Sequence, residues 1–235
     1  MIKLDITVDT SGVIKMLQGF EKQVPFALQT AINNTAFDIR KRVGAELASR
    51  LDRPTRWTTG SVRVEKASKT SLAAVVRINA SGKAGATPAD LLSQQFTGGA
   101  RRPKLYELAL RAQGLLGSTE YTVPGAGVSL DAYGNPRRAQ LLQILRALKG
   151  EKAAPTKRKS RTRLAGSIFW SAGGKGLPKG AWLKVAGGVK PLLIVVRSTT
   201  YAQRVPFQQI ARDEFDQRWP VNLQAAVQRA IATAK

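Results

Sequence analysis

The fold is decided by residues 24–51, which read VPFALQTAINNTAFDIRKRVGAELASRL. Apolar residues recur in this segment at steps of three and four, the spacing that places them on one face of a helix. The same stripe extends back to Leu17 and Phe20. Pro25 interrupts it, because proline cannot donate to the preceding turn and disfavours helix at the residue before it. We therefore predict a short helix followed by a long helix that starts near Pro25.

Strand patterns lie on both sides of this long helix. Leu4, Ile6 and Val8 alternate with polar residues, which predicts a first strand. Residues 62–64 and 72–78 predict a hairpin, and residues 181–185 and 192–197 predict a second hairpin late in the chain.

The chain ends in another helical stripe, which runs from Phe207 to Ile231 and contains Pro220. Amphipathic stripes of this kind normally pack on a core. Together with the hairpins, they predict an α+β fold in which a mainly antiparallel sheet is packed by a long N-terminal helix and a C-terminal helix, with a basic, loop-rich insertion. Residues 1–80 and 181–235 are expected to form one core domain.

Residues 81–180 are expected to be a basic, glycine-rich elaboration on that core. Periodicity weakens there and glycines become frequent. A mobile loop is predicted near residues 150–164, because residues 152–163 contain no apolar side chain larger than alanine. Short helices are predicted at 89–96, 105–113 and 139–148.

The chain carries 38 Lys and Arg residues against 15 Asp and Glu residues, a formal charge of +23. This surplus predicts an anionic partner. The predicted loop could contact a phosphate backbone through counterion release without reading base sequence. It could equally be a solvated loop that aids solubility or meets an acidic protein. The candidate residues for contact with DNA or an acidic partner are Arg101, Arg102, Lys104, Lys157, Arg158, Lys159, Arg161 and Arg163.

Several classes of chemistry are disfavoured by composition. The chain contains no cysteine and no histidine, which removes thiol nucleophiles, imidazole bases and Cys/His zinc sites. We expect no enzymatic activity, no cofactor and no metal. A metal-dependent hydrolase remains a rival hypothesis, and it would need Glu46, Asp52 or Asp131 to converge. No membrane partner is expected, because the apolar run 192–196 is far below the roughly 20 residues that span a bilayer.

Four segments in the same order resemble the phage minor tail protein Z family, a group of tail-completion and head-tail joining proteins. They are residues 24–36 after the opening strand, residues 131–136 followed by 141–145, the late strand 190–196, and the Pro-Phe entry into the final helix at 201–211. The basic run 152–163 is not a hallmark of that family.

The resemblance implies a virion structural protein that is added late in tail assembly, lies near the head-proximal end of the tail, and has no enzymatic activity. Our hypothesis is a homo-oligomeric ring in the tail or neck that adjoins other tail or neck proteins and lets packaged DNA pass, with non-specific contact to the DNA backbone. The protein is then made in the host cytoplasm and ends in the virion. The alternative is a free, non-specific nucleic-acid-binding protein.

Overall fold

The structure is a computed structural model that describes residues 3–6, 11, 21–81, 87–151, 163–174, 176–197 and 200–233. The chain divides into two compact units. Unit 1 comprises residues 1–98 and 202–235, and unit 2 comprises residues 99–201. Residues 12–20, which hold most of the predicted helix before Pro25, and Val8 of the predicted first strand lie outside the described residues.

The described elements are a mixture of helices and strands. The helices are α1 (Val24–Arg50, after a 3-10 turn at Glu21–Gln23), α2 (Arg56–Thr59), α3 (Pro88–Thr97), α4 (Leu105–Ala112), α5 (Arg138–Leu148) and α6 (Phe207–Ala232). The strands are β1 (Lys3–Ile6), β2 (Val62–Glu65), β3 (Ala74–Ile78), β4 (Gly99–Ala100), β5 (Tyr121–Pro124), β6 (Ser167–Ser171), β7 (Gly180–Val185), β8 (Gly188–Val196) and β9 (Thr200–Tyr201).

Unit 1 contains an antiparallel sheet of three strands in the order β1-β3-β2. Alternate residues of the central strand, Ala74, Val76 and Ile78, are buried. Period-two alternation therefore sets which face of the sheet packs on the core, as the strand pattern predicts. The predicted first strand and the predicted first hairpin are confirmed where the chain is described.

The long helix α1 and the C-terminal helix α6 supply most of the remaining core of unit 1. Ile39, Val43 and Leu47 of α1 are fully buried and belong to the same apolar cluster as the central strand. Phe207 at the start of α6 meets Phe96 edge to face, with ring centroids 6.0 Å apart. The predicted start of α1 near Pro25 is confirmed, since this proline occupies the first turn, where no N–H is needed.

Unit 2 contains an antiparallel sheet of four strands in the order β5-β8-β7-β6. Helices α4 and α5 contribute Leu110 and Ile144 to a cluster that also contains Leu183 and Leu193 of the sheet. At the boundary of the unit, the short strands β4 and β9 pair with each other, so that Gly99 lies opposite Tyr201.

The boundaries of the two units differ from those predicted from the sequence. The β7–β8 hairpin, which the sequence pattern assigns to the core domain, lies in unit 2, where its apolar side chains pack with those of α4 and α5. Conversely, α3 lies in unit 1, because Leu92 and Phe96 are buried in the core there. The insertion therefore runs over residues 99–201 rather than 81–180, while the α+β class and the two long helices are confirmed. No described helix is long and apolar enough to cross a bilayer.

Candidate anion-contact surface

Arg101, the first of the predicted contact residues, forms a buried ion pair with Glu107. The Arg101 guanidinium donates one hydrogen bond to each carboxylate oxygen, both at 2.6 Å. The same carboxylate accepts bonds from the backbone N–H groups of Lys104 and Thr122, both at 2.7 Å, and from the Thr122 hydroxyl at 3.0 Å. The Glu107 side chain is fully buried and the Arg101 side chain is 11% exposed. Arg101 is thus already paired inside unit 2.

The electrostatics of this pair follow from those hydrogen bonds. Burial alone would raise the pKa of Glu107, but the hydrogen bonds from Arg101, Lys104 and Thr122 outweigh burial and lower the pKa below its ordinary value. The charge on Glu107 is therefore stabilised by its donors. Because Arg101 serves as the counter-ion of this carboxylate, it does not belong to the proposed anion-contact surface.

Three of the remaining predicted residues are exposed, and four lie outside the described residues. Arg102 and Lys104 are exposed, and partial burial of the Lys104 ammonium together with repulsion from Arg101 lowers the pKa of Lys104. Arg163 is exposed and makes no ion pair with a described residue. The predicted loop residues Lys157, Arg158, Lys159 and Arg161 lie outside the described residues.

Helix α5 presents a row of cations that are not among the contact residues predicted from the sequence. One side of the helix is anchored in unit 2 by Ile144, which is fully buried, and by Gln140, whose amide oxygen accepts a 2.8 Å bond from the Ser129 N–H. The opposite side is exposed, and the helix itself contains no acidic residue. We call this side the basic α5 face; its residues are Arg138, Leu142, Arg146 and Lys149.

Two positive charges lie at the N-terminal end of α5, where the helix dipole disfavours cations. Arg137 is the N-cap residue and makes no capping hydrogen bond, Arg138 follows it, and the first turn holds no acidic residue. Cations near a helix N-terminus oppose the helix dipole at a cost of about 0.3–1 kcal/mol each. An anion bound there would offset that cost.

Arg163 lies beside this helix. The Gln143 side-chain amide of α5 donates a 2.9 Å bond to the Leu164 carbonyl and accepts a 3.1 Å bond from the Leu164 N–H. These two bonds hold the residue after Arg163 against α5, one turn from Arg146. The candidate surface therefore combines the basic α5 face with one residue that was predicted from the sequence.

The acids of unit 2 do not neutralise these cations. Unit 2 has 19 basic residues and only four acidic ones. Glu107 pairs with Arg101, and Glu120 pairs with Lys179 at 2.7 Å. The Asp131 carboxylate accepts backbone bonds from Tyr133 and Asn135 in its own turn, while Glu151 is exposed.

The acids named in the rival hydrolase hypothesis also have structural partners. Glu46 pairs with Arg42 at 2.8 Å and with Arg50, and Asp52 pairs with Arg53 at 3.2 Å. Within the part of the chain that the structure describes, no three His, Cys, Asp or Glu residues are grouped so that they could hold a metal ion.

Comparison with known protein families, with curated proteins and with solved structures finds no match to this chain.

Proposed function

We propose that this chain is a structural protein of a tailed phage, a tail-completion or neck component that forms or joins a ring through which DNA passes. The proposal rests on the resemblance of four ordered segments to the minor tail protein Z family. It is supported by the concentration of positive charge in unit 2. The basic α5 face contacts the DNA backbone or an acidic neighbouring protein in this proposal.

The observation that carries the proposed contact is the composition of the basic α5 face. Its three cations, Arg138, Arg146 and Lys149, are exposed and form no ion pair with a described residue. A surface that only aids solubility gains nothing from placing Arg137 and Arg138 against the helix dipole. If the surface binds an anion, the attraction between the anion and these two cations offsets their unfavourable interaction with the helix dipole.

Three measurements test the proposed structural role. Mass spectrometry of purified particles of the phage that encodes the chain should detect it, and electron microscopy should place it in the tail or neck. Light scattering of the purified chain should give a closed oligomer at high protein concentration. Absence from mature particles would refute the structural role.

The contact is tested by a matched pair of double variants. Arg146→Gln with Lys149→Gln removes two charges from the basic α5 face, whereas Lys184→Gln with Lys190→Gln removes two exposed charges from β7 and β8 of the same unit. We expect the first pair to reduce phage titre and the second to leave it near wild type. Equal effects would show that only total charge matters.

The alternative is a free nucleic-acid-binding protein, which the same charge surplus favours. It predicts binding of the monomer to DNA or RNA, with an affinity that falls steeply as salt rises. It also predicts that the protein is absent from particles, which separates it from the virion proposal.

A further inference from the structure

A groove in unit 1 combines two cations with an aromatic ring. It lies between α1 and α2 and has a volume of about 300 Å³. We call it the α1–α2 groove; it is lined by Phe37, Arg40, Lys41, Gly44, Thr59 and Gly60. Its volume is at the lower end of the range for small-ligand sites, about 300–1,000 Å³. It is therefore large enough for one residue of a polymeric ligand.

The helix backbone itself forms part of this groove. Gly44 has no side chain, and a Cβ atom built on it would lie 3.5 Å from the Thr59 carbonyl oxygen. Any longer side chain at this position would extend into the space between the two helices. The width of the groove therefore depends on glycine in the middle of a long helix, where glycine costs about 1 kcal/mol relative to alanine.

The charge of the groove is positive and has no internal counter-ion. Arg40 and Lys41 are exposed and form no ion pair with a described residue. The acids on the same helix are engaged elsewhere, since Asp38 accepts a 2.9 Å bond from Asn222 and Glu46 pairs with Arg42 and Arg50. The two lining cations are thus open to an external anion.

Aromatic side chains accompany these cations. Phe37 in the groove is 37% exposed, and the Lys66 ammonium lies 5.5 Å from the centre of its ring. Trp57 of α2, next to the groove in sequence, is 49% exposed. Nucleic-acid strands are bound without sequence preference by cations that track the phosphates and aromatic rings on which bases stack.

We propose that the α1–α2 groove binds a single-stranded nucleic acid, with a phosphate between Arg40 and Lys41 and a base on the exposed ring of Phe37. An acidic peptide would use the two cations but not the exposed part of the Phe37 ring, so the strand is the better fit. This proposal goes beyond the proposed virion role. It concerns unit 1, whereas the basic α5 face belongs to unit 2. The experiments can therefore refute one proposal without refuting the other.

The test measures the binding of fluorescein-labelled oligo(dT) to the full chain at several salt concentrations. Arg40→Gln with Lys41→Gln should weaken binding and make the affinity less dependent on salt, with a log–log slope shallower by about 0.7 for each phosphate that the variant no longer neutralises. Phe37→Leu keeps an apolar side chain but removes the ring, and it should weaken binding about fivefold or more.

The control is Arg212→Gln with Arg229→Gln, which removes the same charge from exposed positions on α6 of the same unit. Circular dichroism is used to check that each variant is folded. The proposal is overturned if the control loses as much affinity as the groove variant, or if Phe37→Leu binds like the wild type. Displacement of oligo(dT) from the groove by an equal charge of poly-glutamate would overturn it in favour of an acidic peptide.

Discussion

Replacing Glu107 by glutamine should strongly destabilise unit 2, even though the two side chains have nearly the same shape. Each oxygen of the Glu107 carboxylate accepts one Arg101 bond and one backbone N–H bond. A glutamine amide keeps one oxygen, and its NH₂ group takes the place of the other. Whichever way the amide turns, one guanidinium N–H and one backbone N–H lose their acceptor.

The expected loss of stability comes from those two groups. Leaving a buried donor without an acceptor costs about 1–3 kcal/mol, and more for a charged group. With the Arg101 side chain only 11% exposed, we expect a total loss of about 3–5 kcal/mol, the usual range for breaking a buried ion pair from one side. Stabilities of whole domains are about 5–15 kcal/mol, so this loss is a large part of the total.

The matched control is Glu120→Gln. Glu120 pairs with Lys179 in a setting where the two side chains are 20% and 34% exposed, and a single oxygen of Glu120 accepts both the Lys179 bond and the Gly117 N–H bond. A glutamine can place its oxygen at that position without leaving a donor unpaired. We expect a loss of about 1 kcal/mol or less.

Urea unfolding followed by tryptophan fluorescence measures both losses of stability. Trp170 and Trp182 lie in unit 2, whereas Trp57 and Trp219 lie in unit 1. In a background with Trp57→Phe and Trp219→Phe, the signal therefore reports unit 2. A Glu107→Gln loss no larger than that of Glu120→Gln would refute our account of the buried carboxylate.

Three further predictions concern the pH dependence of stability and two glycines. The pKa of Glu107 is lowered in the folded state, so its contribution to stability is complete above the ordinary carboxyl pKa of 4.5 and is lost as pH falls through the folded value. When the free energy of unfolding is measured against pH, the loss below pH 4.5 should therefore be shallower in Glu107→Gln than in the wild type. Gly44→Ala should raise the unfolding free energy of unit 1 by about 0.5–1 kcal/mol, since its Cβ meets only an ordinary van der Waals neighbour. Gly60→Ala should lower that free energy, because its Cβ would lie 2.9 Å from the Arg56 carbonyl oxygen. Thermal unfolding of the two variants shows whether each change in stability has the expected direction.

The helices α1, α3, α4, α5 and α6 and the strands β1, β2, β3, β7 and β8 could be predicted from the pattern of apolar residues in the sequence. The strands β5 and β6 and the short elements α2, β4 and β9 were not predicted. The short helices α4 and α5 are predicted to within about two residues, since burial of one helix face constrains which positions are apolar. The division into units could not be predicted. The apolar runs of the β7–β8 hairpin show that its strands are largely buried, but they do not show which helices cover them.

The candidate site was predictable only in part. The sequence gives no sign that Arg101 is paired, because its partner Glu107 lies six positions further along the chain. The two side chains meet only because Arg101 folds back against the start of α4. By contrast, the signal for the basic α5 face was present in the sequence. Arg138, Arg146 and Lys149 have the i, i+8 and i+11 spacing of one helix side, and a helical projection of residues 138–149 would have found them.

The pairing of β4 with β9 has a consequence for how this chain can be divided. Gly99 and Tyr201 face each other across an antiparallel ladder, where opposed Cα atoms are about 4.5–5.5 Å apart. The chain therefore departs from unit 1 and returns to it at nearly the same point. A tether of a few glycines from Gly98 to Ala202 is therefore long enough to replace unit 2 without stretching the chain.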